Sequence, residues 1–267
     1  MDESGVELFE QHESRFVGLG KKNLPKFLQK NLPPLRVVGQ EEPVDDVIVR
    51  GVVAAFSKER ESFYRLFRDI FDRGDADAFA LAALEMWDRG ADFHGRYRWM
   101  AELIATLGGD HTAIELERHL QRWQTKTDTW RKRAISLMYV LERIDTPTSL
   151  MALVGLTQRQ ERPSVYDEAV RQLNLAAARR HMSWETLADQ VVPTCALDMR
   201  GTRVFDLGGR TLQVILDEDF TPRLRDEERE LFDDIPARVA SDDAELYDQA
   251  VSAWELMHEQ LIDVLDI

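Results

Sequence analysis

Apolar residues recur at three- and four-residue spacing over most of the chain between Val44 and Val192. Segments such as VDDVIVRGVVAAFSKE, DADAFALAALEMWDRG and TWRKRAISLMYVLERI each place their apolar side chains on one side of a helix. Short polar or glycine-containing stretches separate these segments, and Thr146 and Ser183 occupy positions suited to helix N-caps. The pattern predicts a mostly α protein built from successive amphipathic helices.

These predicted helices repeat along the chain. Ile70, Leu107 and Ile144 each end a helical segment before a short turn, and successive members of this set are 37 residues apart. A helix pair of this length cannot bury its apolar face alone, so neighbouring pairs must stack. The repeat predicts a HEAT-like α-solenoid of stacked helix pairs over residues 44–192, and an irregular helical bundle is the alternative.

The pattern changes after Pro193. TRVFDL and RTLQVIL alternate between apolar and polar residues, and the Gly208-Gly209 pair between them favours a tight hairpin. With TPRLRD as a third strand, the sequence predicts a small antiparallel β-meander and an acidic loop over residues 193–241. A C-terminal helix over residues 242–267 is expected to pack on the body of the protein. Its predicted apolar stripe is Tyr247, Val251, Trp254, His258, Leu261 and Leu265.

Residues 1–43 show no clear period. Four prolines between Leu24 and Pro43 disfavour a long helix, so we expect an N-terminal segment that wraps around the body. The first residues, MDESGVELFEQHESRF, are acidic and polar, unlike a secretory signal peptide. No apolar run approaches the roughly 20 residues needed to span a bilayer. We therefore expect a cytoplasmic protein that does not associate with membranes.

Charge is distributed unevenly along the chain, which has a formal net charge of −15 over 267 residues. The segment from Asp217 to Ile267 holds 17 Asp and Glu against 4 Arg, whereas the residues before it hold 32 acidic and 30 basic side chains. An acidic region of this kind repels phosphate backbones and attracts a basic partner at long range. A merely solubilising surface is the simpler interpretation.

The segment WETLADQVVPTCALDMRGTRVFDLGGRTLQVILDEDFTPRLRDEE resembles the signature of a MolR-like bacterial family, domain of unknown function 4132. The resemblance extends from roughly Leu24 to the end of the chain. It implies a HEAT-like region followed by a small β segment, and a regulatory or scaffolding role without established catalytic residues. The chain ends where longer relatives continue, so the resemblance implies a short member or a fragment. The matching positions are Leu187, Ala188, Asp189, Val192, Pro193, Leu197, Asp198, Gly201, Asp206, Gly208, Arg210, Pro236, Asp242 and Asp243.

The Gly208-Gly209-Arg210 triplet does not have the spacing of a phosphate-binding loop. Neither G-x-x-x-x-G-K-[ST] nor a helix-opening G-x-G-x-x-G is present, and a strand-like segment follows Arg210. A structural hairpin is the better interpretation. Arg210 is expected to pair with Asp206 across the turn, or with Asp189 or Asp198, which would attach the sheet to the last helix of the repeats. The meander would then cap the apolar end of the solenoid.

The segment RHLQRWQTKTDTWRKR, residues 118–133, combines basic and aromatic side chains. Such interleaving suits phosphate contacts and base stacking, so the segment is a candidate nucleic-acid patch. The alternative is that its tryptophans pack between repeats and its charges form a solvated ridge. Its candidate contact residues are Arg118, Arg122, Trp123, Lys126, Trp130, Arg131, Lys132 and Arg133.

The remaining candidates for chemistry are weak. His111, Glu115 and His119 would share one helical face, but no further ligand accompanies them, so solvated or half-buried histidines are expected rather than a metal site. Cys195, the single cysteine, excludes an intramolecular disulfide and is predicted to be a small buried apolar residue. The sequence contains no recognisable catalytic, metal or cofactor motif.

Two functions follow from these patterns. The first is a non-enzymatic protein-interaction scaffold or regulatory module that binds a protein partner on the solenoid face, with the acidic C-terminal region favouring a basic partner. The second is a nucleic-acid-associated HEAT-like protein that uses the basic segment 118–133.

Overall fold

The structure is a computed structural model that describes residues 3–21, 32–58, 67–90, 98–123, 129–159, 163–191, 195–198, 201–217 and 220–265. Within these ranges, the side chains of residues 3–4, 58, 88–90, 121–123, 129–130, 158–159 and 262–265 are not described. The chain divides into two compact units, Met1–Val191 and Val192–Ile267. The predicted boundary between the helical repeats and the β segment lies within two residues of this division.

Most described residues of the first unit are helical. Those of the second unit form a small antiparallel sheet and one long helix. The expected mostly α class is therefore confirmed. No helix in the described part of the chain has both the length and the apolar character to cross a membrane. The helices of the first unit are α1 (Glu3–Gly20), α2 (Asp46–Lys58), α3 (Phe67–Ile70), α4 (Arg73–Gly90), α5 (Trp99–Leu107), α6 (Asp110–Trp123), α7 (Thr129–Ile144), α8 (Pro147–Arg159), α9 (Pro163–Arg179) and α10 (Trp184–Gln190).

From α3 onward the helices form two rows. In the first-helix row, made of α3, α5, α7 and α9, each helix contacts the next, and the same holds for the second-helix row of α4, α6, α8 and α10. Positions one repeat apart are buried alike, because each helix pair presents the same apolar side to its neighbours. Two such sets are Phe67, Ile104 and Leu141 in the first-helix row, and Phe79, Leu116 and Leu153 in the second.

The turns between paired helices repeat in their hydrogen bonding. The backbone carbonyls of Asp72, Gly109, Thr146 and Ser183, spaced 37 residues apart in the sequence, each accept the first hydrogen bond of the helix that follows. At three of these positions a side-chain oxygen also caps the helix. Asp72 Oδ1 accepts from the Gly74 and Asp75 amides, and the Thr146 and Ser183 hydroxyls accept from amides three residues on.

Gly109 has no side chain, so a residue of α4, the neighbouring helix of the second-helix row, caps α6. The carboxylate of Asp77 in α4 accepts from the backbone amides of Gly109, His111 and Thr112, and His111 Nδ1 lies 3.3 Å from the same carboxylate. Burial by itself raises the pKa of Asp77. The hydrogen bonds from His111, Thr112 and Gly109 outweigh burial and hold the pKa below its usual value.

The N-terminal segment differs from the expectation of a wrap without a long helix. The residues of α1 form a helix of 18 residues that packs on α2, with Phe9, Phe16 and Leu19 buried. Gly20 and Gly51 permit this close packing. A β-carbon would lie 1.7 Å from the Val47 carbonyl oxygen at Gly20, and 2.0 Å from the Phe16 carbonyl oxygen at Gly51. The predicted wrap partly falls on residues 22–31, outside the described residues.

Residues 32–45 contain no helix, turn back on themselves at Val38–Gly39 and attach to the start of α4. The Arg36 guanidinium donates to both carboxylate oxygens of Asp75 at 2.9 Å, and the Arg36 backbone amide donates to Oδ2. The amide of Val38 donates to the carbonyl of Ile70. This segment therefore binds the turn between α3 and α4 and the first turn of α4.

In the second unit, four strands form an antiparallel sheet in the order β1-β2-β3-β4. They are β1 (Arg203–Asp206), β2 (Thr211–Leu216), β3 (Pro222–Arg225) and β4 (Leu231–Phe232), and the helix α11 (Ala244–Leu265) follows. The expected antiparallel meander is confirmed, with β4 as an additional short strand. Gly208, at a φ of 83°, forms the turn between β1 and β2, and its amide donates to Asp206 Oδ1.

One face of the sheet packs with α11 in a common core. Phe205, Leu212, Val214 and Leu224 point to this side, because alternate residues of a strand share a face. The buried stripe of α11 is Ala250, Trp254, Met257 and Leu261, with Tyr247 packed against its edge. The stripe is thus rotated from the predicted one, and Val251 and His258 are only half-buried.

Cys195 belongs to the same core and is buried, consistent with its interpretation as a small apolar residue. Burial raises the pKa of its thiol to about 11, so the thiolate nucleophile is scarce at neutral pH. Its backbone has a φ of 54°, in the left-handed region. The residue therefore serves packing and a turn of the backbone.

Arg210 pairs with Asp242, not with the predicted acidic residues. Its Nη2 lies 2.9 Å and its Nε 3.1 Å from the two carboxylate oxygens, and Nη2 also donates to the Ala237 carbonyl. Asp242 in addition accepts from the Val239 amide. Asp206 instead caps the hairpin turn, Asp198 accepts from Thr202, and Asp189 lies in α10 of the first unit. The ion pair between Arg210 and Asp242 therefore joins the hairpin to the loop before α11.

Replacing Asp77 with Asn is expected to lower the free energy of unfolding by about 1–2 kcal/mol at pH 7, because the neutral amide is a weaker acceptor for the α6 amides. Urea unfolding followed by circular dichroism measures the change. Asp167→Asn, at an exposed position of α9, is the matched control and should change stability little. Equal stability of the two variants would contradict the cap.

Arg210→Ala is expected to lower the melting temperature of the second unit by several degrees at pH 7. The hydrogen bond from Arg210 holds the pKa of Asp242 below its usual value. A depressed carboxyl pKa contributes stability above about pH 4 that is lost as the pH falls through the folded value. The difference between wild type and variant should therefore shrink in acid.

Thermal unfolding at pH 7 and pH 3 measures this effect. Arg223→Ala is the control, because Arg223 pairs with the largely exposed Asp233 at 3.4 Å. A difference between Arg210→Ala and wild type that is independent of pH would refute the linkage.

Candidate interaction surface on the first-helix row

Hydrogen bonds between equivalent positions connect neighbouring helices of the first-helix row. Each bond joins residues 37 apart, one repeat of the chain. Equivalent positions of stacked repeats face each other, so a polar pair placed there fixes the register of one helix against the next. The three bonds are Arg68 to the Ala105 carbonyl, Tyr139 to Glu102, and Arg179 to Glu142.

Arg68 bonds to more than one helix end. Its guanidinium donates to the carbonyls of Ala105 and Thr106 at the C-terminus of α5, and to those of Arg143 and Ile144 at the C-terminus of α7. The last carbonyls of a helix lack intrahelical donors and carry partial negative charge, which a buried guanidinium complements. Burial and nearby arginines lower the pKa of Arg68. This residue holds the ends of α5 and α7 side by side.

A pocket of about 280 Å³ opens between these helices. It lies on the side of the row that carries the Tyr139–Glu102 bond, and residues of α5, α7 and α9 contribute to it. Its volume is close to the lower end of the range for small-ligand pockets, about 300 Å³. It therefore suits a single side chain better than a large cofactor. The lining residues are Arg98, Ala101, Glu102, Ile135, Ser136, Tyr139 and Arg171.

Glu102 belongs to the lining of this pocket, and its two carboxylate oxygens differ in their hydrogen bonding. Its Oε1 accepts a hydrogen bond from the Tyr139 hydroxyl at 2.5 Å, whereas its Oε2 is buried and has no hydrogen-bond partner. A buried carboxylate oxygen without a donor carries a desolvation cost of about 1–3 kcal/mol or more. An atom of this kind calls for an explanation, such as an ordered water or ion, local strain or a catalytic role.

Two arginines, Arg98 and Arg171, line the pocket and differ in their hydrogen bonds and ion pairs. Arg171 donates twice to Glu168, with Nε–Oε2 at 3.0 Å and Nη2–Oε1 at 2.6 Å. This pairing raises the pKa of Arg171. Arg98, directly before α5, is exposed, and its guanidinium forms no hydrogen bond or ion pair with the described residues. The pocket lining therefore includes one guanidinium that is paired and one that is hydrated.

The basic segment 118–133 is only partly covered by the structure. Lys126 and the side chains of Arg122, Trp123 and Trp130 lie outside the described residues. Arg118 is exposed in α6 and pairs with Glu115 at 3.2 Å. Arg131 and Lys132 are exposed near the start of α7, and Arg133 is half-buried. Whether these residues form one continuous patch remains a prediction.

The histidines of α6 differ from one another. His111 is half-buried beside Asp77, as the sequence indicates, but His119 is buried, with Nε2 3.4 Å from Glu115 Oε1. Neighbouring carboxylates thus occupy both histidines. In the part of the chain that the structure describes, no three His, Cys, Asp or Glu residues are grouped to hold a metal ion.

Glu102, Tyr139 and Arg98 were not recognised from the sequence as candidate site residues. The signal that identifies them is the repeat itself, since a shift of 37 residues aligns Glu102 with Tyr139 and Arg98 with Ile135. A polar pair at matching positions of adjacent repeats is expected to meet across the helices.

No protein-family model matches the sequence, and no solved structure matches it. The chain is similar to the uncharacterized protein YehI of Escherichia coli (strain K12), with 28% identity over 166 residues. The aligned region covers 62% of this chain and 14% of that relative, so the chain corresponds to a small part of a much longer protein.

Proposed function

We propose that this chain is a non-enzymatic protein-interaction module of the MolR-like type, built as a HEAT-like α-solenoid that binds a partner on the first-helix row. The two rows of helices, the capped turns 37 residues apart and the bonds between equivalent positions support the solenoid. Stacked helix pairs of this kind present extended surfaces suited to protein partners.

The observation that carries the proposal is the pocket at Glu102. This concave site of about 280 Å³ is lined by the charged residues Arg98, Glu102 and Arg171 and by the apolar Ala101 and Ile135. A partner side chain that enters it would bury apolar surface and form charge-assisted hydrogen bonds with the lining. The net charge of −15 would assist association with a basic partner through long-range attraction.

The basic segment supports a nucleic-acid-binding function as the alternative. Arg131 and Lys132 are exposed, and neither has a carboxylate partner among the described residues. They lie in the first turn of α7, where a cation is disfavoured by the helix dipole, so their placement has no evident structural benefit. The strongly negative total charge opposes this function.

The scaffold proposal predicts that Ser136→Arg prevents partner binding, because a long side chain at this position fills the pocket. The full chain, immobilised and incubated with extract of its source cells, should retain a defined protein that the variant does not retain. Direct titration of that purified protein then measures a loss of at least about tenfold in affinity.

The matched control is Ser252→Arg, which introduces the same side chain at an exposed position of α11 in the second unit. It should retain the partner as wild type does. Equal retention by wild type and Ser136→Arg, with both proteins folded, would refute binding at the first-helix row.

The nucleic-acid alternative is tested with random single-stranded DNA and RNA at low salt. On the scaffold proposal no mobility shift is expected. A shift that weakens steeply with salt and disappears in the double variant Arg131→Gln, Lys132→Gln would favour the alternative instead.

A further inference from the structure

The first strand of the sheet has an open edge. β1 lies at one side of the order β1-β2-β3-β4 and, in the described part of the chain, pairs only with β2. The opposite edge is formed by β4, which has two residues. The edge strand of a sheet presents a row of main-chain donors and acceptors to its surroundings. β1 is therefore the longer of the two edges at which a further strand can pair.

The hydrogen bonds of the hairpin show which groups of β1 face this edge. The Leu207 amide donates to the Arg210 carbonyl at 2.9 Å and so points towards β2. These directions alternate along an antiparallel strand, so Phe205 also bonds to β2, whereas the main-chain groups of Val204 and Asp206 point away from it. Across the described residues, no hydrogen bond reaches the main-chain N–H or C=O of Val204 or Asp206.

Neighbouring loops bound the open stretch at both ends. The Asp198 amide donates to the Thr202 carbonyl at 2.8 Å, on the same side of β1 as the groups of Val204. At the hairpin end the Asp243 amide donates to the Leu207 carbonyl at 2.8 Å. The short stretch between these bonds offers alternate N–H and C=O groups, which match an extended segment and not a helix.

Val204 adds apolar surface to this edge. Its side chain is 60% exposed and lies on the face of the sheet opposite the core that contains Phe205. Edge strands are commonly protected by lysine, proline or a bulge, which discourage pairing with another chain. An exposed valine gives no such protection, and it offers an apolar contact to a bound strand.

The charge around the edge favours a basic segment. The second unit holds 19 Asp and Glu against 7 Arg, a net of −12. Asp206 is exposed on β1, and Glu227 accepts from the hydroxyl of Thr211, the residue paired with Asp206. Asp243 lies at the hairpin end of the same edge. These carboxylates attract cationic side chains and repel both nucleic acid and a second copy of this acidic unit.

Two arginines close to this edge are directed elsewhere. Arg203 of β1 lies over the Phe205 ring, 4.7 Å from its centroid, and therefore on the core side of the sheet. Arg210 pairs with Asp242. The acidic groups along the open edge are thus not balanced by these arginines.

We propose that the open edge of β1 binds an extended basic segment of a partner protein, which adds a fifth strand to the sheet. The segment bonds to the main-chain groups of Val204 and Asp206, and its lysine or arginine side chains lie near the surrounding carboxylates. Strand addition of this kind obtains affinity from main-chain hydrogen bonds and specificity from alternate side chains. The site belongs to the second unit and is independent of the function proposed for the first-helix row.

The test is a titration of the full chain with acetyl-Lys-Val-Lys-Val-Lys-amide, followed by NMR of the Val204 and Asp206 amides. Saturable shifts and slower hydrogen exchange of these two amides are expected, because each acquires an acceptor. A peptide with Glu in place of Lys tests the charge. The lysine peptide N-methylated at every residue keeps the charge but has no main-chain donors. Each of these two peptides should bind at least about tenfold more weakly.

Substitutions at Val204 test the main-chain contact. Val204→Pro removes the outward N–H and leaves the bonds to β2, since proline is tolerated at a strand edge whose N–H faces solvent. It should weaken binding at least about tenfold. Val204→Thr keeps the amide and the branched side chain and should retain binding. Melting temperatures establish that both variants are folded, and if Val204→Pro is not, the N-methylated peptide decides.

A substitution at Asp206 tests the charge. Asp206→Asn keeps the acceptor for the Gly208 amide and should reduce the preference for the lysine peptide over the glutamate peptide. Asp167→Asn, at an exposed position of α9 in the first unit, is the matched control and should keep the full preference.

The outcomes separate this inference from its alternatives. No change at the two amides, equal binding of the N-methylated peptide or equal binding of the glutamate peptide overturns it. Equal binding by folded Val204→Pro and Val204→Thr overturns it as well. Slow exchange of the Val204 amide without peptide, together with a dimer in sedimentation equilibrium, overturns it in favour of a second copy of the chain. Ser136→Arg should bind the peptide as wild type does, so the scaffold function can fail while this inference stands, and the reverse also holds.

Discussion

The helical unit depends on satisfying backbone groups at helix ends that recur every 37 residues. Short helices leave a large share of their amides and carbonyls without intrahelical partners, and burial of those ends makes each missing bond costly. The solutions differ from turn to turn. Asp72, Thr146 and Ser183 cap with their own side chains. At Gly109 the cap is Asp77, which lies in α4, the adjacent helix of the second-helix row. Arg68 supplies donors to the carbonyl ends of α5 and α7 together.

Apolar burial and polar pairing contribute differently to this unit. Burial of residues such as Phe79, Leu116 and Leu153 supplies the driving force, but apolar contacts alone tolerate small shifts of one helix along another. A bond such as Tyr139 to Glu102 exists in one register only. The same bond leaves Glu102 Oε2 without a hydrogen-bond partner, and Gln172 Oε1 and His258 Nε2 are in the same position. Proteins depart from local consistency in this way at functional or strained positions.

Polar pairing and apolar burial also stabilise the second unit. Arg210 and Asp242 join the hairpin to the loop before α11, and the sheet and the helix bury a common core around Trp254. Most of its acidic side chains remain on the surface, where they are hydrated and add to the charge that favours basic partners. Stability of this unit therefore rests on a few buried groups, and its surface is free to carry charge.

Local patterns predicted the elements well. The ends of α3, α5 and α7 fall on Ile70, Leu107 and Ile144, as the 37-residue period indicates, and the alternation around Gly208 predicts the first hairpin. These features depend on side-chain spacing and turn chemistry within a few residues, which the sequence contains directly. The α1 helix was missed because few of its residues are apolar and its burial depends on the close approach of α2 at Gly20 and Gly51. The predicted apolar stripe of α11 is rotated from the observed buried one, because packing against the sheet determines which side of the helix is buried.

The sequence by itself therefore determined the helical class, the period of the repeat, the hairpin and the uneven charge, since each is a property of neighbouring residues. Only the tertiary structure decided the partners of long-range polar groups. Arg210 had several acidic residues within plausible reach, and the fold brought it to Asp242, 32 residues away. Glu102 and Tyr139 lie on different helices and acquire meaning only when α5 and α7 pack side by side. Whether a charged group finds a partner depends on what surrounds it in three dimensions, as the pairing of Glu102 with Tyr139 shows.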